Sequence, residues 1–137
     1  MKVIWLRKSY IIQEQTRLTR QEIEKLLRDL QDAVDQLNNT LLAAWHETSD
    51  PSIKQHFNWG LRGLFMIKEY AKKIEEILQQ TEGELSDSDY KSVQNLARQA
   101  AEWRSSVATA LSYVGHTAYQ QSYDTMSKAI RTLSGGY

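Results

Sequence analysis

From Ile23 onward apolar residues return every three or four positions: Ile23, Leu26, Leu27, Leu30, Val34, Leu37, Leu41 and Trp45. At about 100° per residue this spacing draws one apolar stripe along a helix that runs to about Glu47. Little in the chain interrupts such a pattern, because it holds one proline, Pro51, and six glycines. A sequence so short of turn-forming residues spends its length in a few long elements. Helices with one apolar face must bury that face against each other. The expected fold is therefore all-α, an antiparallel bundle of three or four long helices in a single domain.

Local signals mark where the helices start. Thr19 can accept from the free amides of the first turn while Glu22, three residues on, reaches back to it, a capping box. Lys25 with Asp29 and Arg28 with Asp32 are i,i+4 pairs suited to the solvated side. Asp50 followed by Pro51 restarts the chain as a second helix, expected to run to about Gln80 along Ile53, Phe57, Leu61, Leu64, Ile67, Ala71, Ile74 and Leu78. Ser86-Asp87-Ser88-Asp89 opens a third helix, whose stripe is Val93, Leu96, Ala100, Trp103, Val107, Leu111 and Val114. Gly115-His116-Thr117 either ends that helix, with Thr117 capping a fourth, or kinks one long rod that continues through Tyr119, Tyr123, Met126, Ile130 and Leu133. Ser134-Gly135-Gly136-Tyr137 reads as a frayed tail. Residues 1–18 carry four basic side chains against Glu14, a net +3, and either begin the first helix or form a short element of their own.

Composition removes several classes of function. Lysine plus arginine equal aspartate plus glutamate at 17 each, so no global field draws the chain to nucleic acid. Cysteine is absent, which rules out disulfides and thiolate metal sites. The longest apolar run is a few residues, far below the roughly 20 that cross a bilayer, so no membrane partner is expected. The apolar patch after Lys2 is too short for a signal-peptide core, and a cytoplasmic protein is expected.

No catalytic, cofactor-binding or metal-ligating set is expected. Di-iron bundles need a glutamate three residues before a histidine, and none of His46, His56 or His116 has one. His46, Glu47, Asp50 and His56 cluster around the first connection, where exposed polar residues are the simpler reading than a zinc site. Gly60 and Gly63 lie inside a helix with no Gly-Lys after them, so they are not a phosphate loop. Nor does any arginine stand five to seven residues before a histidine, as in helical ribonucleases. The non-enzymatic alternative is a small subunit of a nucleoprotein complex. There Lys2, Arg7 and Lys8 would meet phosphates while Trp5 and Tyr10 stack on bases.

The second helix carries more apolar surface than one contact needs. Trp59, Met66, Tyr70 and Ile77 form a second stripe within about 40° of one another, leaving Lys54, Asn58, Arg62, Glu69, Lys72, Lys73 and Glu76 for water. Gly60 and Gly63 lie between the stripes, where another backbone can come close. Such a helix is central in its fold or docked on a partner. The functional expectation is a helical protein–protein interaction or scaffold module, self-associating as a homo-oligomer, with Trp59, Met66, Tyr70 and Ile77 as its contact residues.

Trp45 near the end of one helix, a turn through Pro51 and Phe57 early in the return helix resemble the hairpins of WXG-type secretion substrates. The resemblance covers roughly residues 19–81 and implies a leaderless exported helical protein. The chain departs from that pattern in having Glu47 where the motif glycine falls and in lacking a Tyr-x-x-x-Asp/Glu signal near its C-terminus; Tyr10 and Glu14 have that spacing at the other end.

Overall fold

The computed structural model describes residues 17–136. Its helices are α1 (Arg20–Glu47), α2 (Pro51–Gln79), α3 (Asp87–Ala101), α4 (Arg104–Leu111) and α5 (Gln120–Leu133), and no strand occurs among the described residues. Because α3 and α4 follow each other across two residues, they act as one broken rod. Four rods result, packed in a ring: α1 on α2, α2 on α3 and α4, α3 on α5, and α5 back on α1. Cross-links along α1 and α2 show that the two run antiparallel: Lys68 pairs with Asp35 at 2.8 Å, and Gln31 donates to Glu75 at 2.8 Å.

The caps at Thr19, Asp50 and Ser86 form where the sequence places them. Glu22 N–H donates to the Thr19 hydroxyl and Thr19 N–H to the Glu22 carboxylate, closing the box. Asp50 accepts from the amides of Ser52 and Ile53, with Pro51 in the first turn. Ser86 accepts from Asp89 N–H at 3.1 Å. With the ends fixed, the stripes fill the interior: Ile23, Leu37 and Leu41 of α1, Phe57, Leu64 and Ile67 of α2, and Met126 and Ile130 of α5 are buried.

Two expectations change, and one of the two alternatives at Gly115 holds. The third helix does not run unbroken to Val114. At Glu102 and Trp103 the amides donate three residues back, to Gln99 and Ala100, and α4 begins after this tight turn. Gly115 lies in a turn, not in a kinked rod, and α5 starts at Gln120 behind Tyr119, without a side-chain cap from Thr117 or any other residue. The terminal segment is also ordered through Gly136. Ser134 is buried, Gly135 turns left-handed at φ +83°, and Gly136 N–H donates to Arg131 O at 2.8 Å while Gly135 N–H donates to Thr132 O. That is a Schellman cap, which satisfies the last carbonyls of α5.

Gly60 and Gly63 set a close contact between α2 and α4. A methyl group at Gly60 would lie 2.3 Å from the Ala110 Cβ, and one at Gly63 would lie 3.1 Å from the Trp103 carbonyl oxygen. Here α4 is the backbone whose approach the two glycines allow.

Candidate interaction surface

The four contact residues expected on α2 divide into two environments. Gly63, Tyr70 and Ile77 recur at two-turn steps, so they share one row of the helix. Gly63 meets α4, and Tyr70 and Ile77 are half-buried at the margin of the core. Much of the second stripe is therefore covered within the chain. Met66 is half-buried, while Trp59 stays 52% exposed. Trp59 borders a shallow recess with His56, Ser105, Ser106 and Thr109.

A more exposed aromatic lies where neither stripe runs. Phe65 is 60% exposed on the side of α2 turned away from the core. Neither apolar stripe includes it, so periodicity alone cannot single it out; a lone aromatic among charged residues was the available signal. Arg62 and Glu69 share its outward arc, with Met66 beside them. Leu42 of α1, 40% exposed, extends this surface across the hairpin. Counting two turns from the Asp35–Lys68 bridge on each helix brings Leu42 level with half-buried Leu61.

Charges around this surface are held loosely. Lys72 approaches Glu69 at 3.6 Å, and both side chains are well exposed. The Arg62 guanidinium lies 6.0 Å from the Trp103 ring, and the Lys73 ammonium 5.5 Å from the Tyr70 ring. Exposed pairs of this kind contribute little to the fold, so the groups remain able to re-pair.

Elsewhere the polar groups serve the fold. His56 stacks on Tyr113 at 4.4 Å, His46 meets Trp45 edge-on, and His116 Nδ1 accepts from Ala118 N–H. No group of three or more histidines and carboxylates among the described residues is placed to hold a metal ion, and His46, Glu47, Asp50 and His56 form no such set. A recess at the start of α3 is lined by Arg17, Leu18, Asp87, Tyr90, Lys91, Gln94, Thr132 and Gly135. Its carboxylate is engaged by Arg17, whose hydrogen bond and charge hold Asp87 below the usual carboxylate range. Arg17 also donates to Leu85 O and lies over the Tyr90 ring, while the Tyr90 hydroxyl accepts from Leu18 N–H. These bonds fasten the lead-in of α1 to α3.

Lys2, Trp5, Arg7, Lys8 and Tyr10, the expected nucleic-acid contacts, lie outside the described residues. No helix among the described residues is long and apolar enough to cross a membrane. No family model, curated protein or solved structure matches the chain.

Proposed function

We propose that this chain is a non-enzymatic helical interaction module that self-associates through the outer face of α2. One observation carries the reading: Phe65 and Trp59 stand 60% and 52% exposed on a helix whose inward side is already filled. A phenylalanine or tryptophan buries about 150–250 Å² when covered, and apolar area yields about 25 cal/mol per Å². Leaving two such side chains in water forgoes a gain that a docked surface recovers. Met66 and Leu42 widen the apolar area, and Arg62, Glu69, Lys72 and Lys73 supply a charged margin of the kind found at interface rims. Tyr70 and Ile77 support the surface from beneath instead of leading the contact.

Light scattering over a concentration series tests this directly. Assemblies heavier than the 15.9 kDa chain are expected, and the combined change Trp59→Ser and Phe65→Ser is expected to return the mass to that of one chain. Both side chains are exposed, so the variant keeps its helical circular dichroism. Wild-type protein that stays monomeric at every concentration overturns the proposal.

A further inference from the structure

The outer face of α2 has a symmetry that selects how two copies meet. Its midpoint falls between Phe65 and Met66. Arg62 lies three positions before Phe65, and Glu69 three positions after Met66. These two are seven residues apart, so they point within about 20° of each other, straight out from the bundle. Arg62 and Glu69 thus stand at equal distances on opposite sides of the midpoint, Glu69 with Lys72 at 3.6 Å as its exposed neighbour within the chain.

We infer that two copies pair isologously, with their α2 helices antiparallel about a two-fold axis passing between Phe65 and Met66. This rests on the self-association proposed above and adds its geometry. The axis brings Arg62 of each copy opposite Glu69 of the other, giving two symmetry-related ion pairs. Phe65 meets its own counterpart on one side of the axis, and Met66 meets its own on the other, as stacked aromatic and thioether contacts. Trp59, one turn beyond Arg62, falls beside Lys73 of the second copy, where the ammonium can leave the Tyr70 ring for an exposed indole. Leu42 continues the contact beyond Phe65 onto α1.

Charge disfavours the other symmetric arrangement. A parallel two-fold would stack Arg62 on Arg62 and Glu69 on Glu69, placing like charges together at the centre. Only the antiparallel pairing turns the face's own charges into complements. No second protein is needed to explain the pattern.

The test uses sedimentation equilibrium on the full chain, from about 1 µM to about 1 mM, to span weak and tight association. Wild type is expected to dimerise. Arg62→Glu alone puts glutamate against Glu69 twice, and Glu69→Arg alone puts arginine against Arg62 twice. Each is expected to weaken dimerisation about tenfold or more. Mixing the two single variants in equal amounts restores two opposite pairs, so a heterodimer of near wild-type strength is expected. The double variant in one chain restores them as well. Thermal melts of the monomers guard against misreading a folding defect.

Wild-type dimers that neither single change weakens overturn the antiparallel geometry and leave self-association standing. Weakened single variants that fail to rescue each other overturn the Arg62–Glu69 pairing. A wild type that is monomeric throughout overturns both the geometry and the function it rests on.

Discussion

Arg20 joins three stretches of chain with one guanidinium. Its Nε pairs with Glu24 at 2.9 Å, while its two Nη atoms donate to the carbonyls of Leu78, Thr81 and Gly83. The final carbonyls of a helix have no partner within it, and a cation placed there also answers the negative end of the helix dipole. No basic residue occupies the last turn of α2 to do this locally. Arg20 supplies the missing charge from the first turn of α1. Arg20→Ala leaves those carbonyls to water and is expected to destabilise the fold by about 2 kcal/mol, read from the midpoint of urea denaturation. Arg20→Lys keeps the charge but reaches fewer carbonyls, so it should fall between the two. The sequence placed Arg20 correctly in the first turn of α1. It gave no sign that this side chain closes α2, because the partners lie about sixty residues away.

Among the elements, α2 and α4 approach closely at two glycines. Adding a methyl group at Gly60 collides with the Ala110 Cβ at 2.3 Å, so α4 must move, and it crowds the Leu41 side-chain end at 2.9 Å. Gly60→Ala gains about 1 kcal/mol of helix propensity but strains the packing by about 1–3 kcal/mol. The net effect expected is a loss of stability. Gly115→Ala is the control, because nothing lies within 4 Å of the added carbon and its φ is not positive. It should leave the melting temperature nearly unchanged. Helix starts were legible because Thr19 with Glu22, Asp50 with Pro51 and Ser86 with Asp89 are local chemistry. The break at Glu102 and Trp103 was not. The stripe continues to look helical through that point, and the tight turn is resolved only where α4 meets the glycines of α2. Phe65 escaped for the opposite reason: a single exposed aromatic creates no period to detect.

At the scale of the whole molecule, the ring of rods is fastened unevenly. One end is tied by Arg17 to Asp87 and Leu85, by Leu18 to Tyr90, and by Arg20 to the end of α2. The other end carries the connection from Ser112 to Tyr119, largely exposed, and α5 starts there without a side-chain cap. Amides from Ser112 to Gln121 are therefore expected to exchange with solvent fastest among the described residues, with the buried middles of α1 and α2 slowest. Hydrogen exchange followed by mass spectrometry checks this; slower exchange at Ser112–Gln121 than in mid-α1 would contradict it.

The contact at Gly60 and Gly63 also bears on what happens when something presses on the exposed side of α2. Where long side chains lie between two helices, a change of rotamer can absorb a displacement. At the glycines, the main chain of α2 rests almost directly on α4, and no such cushion exists. A partner seated on Phe65 would therefore bear on a helix whose opposite side has no side chain between its glycines and α4.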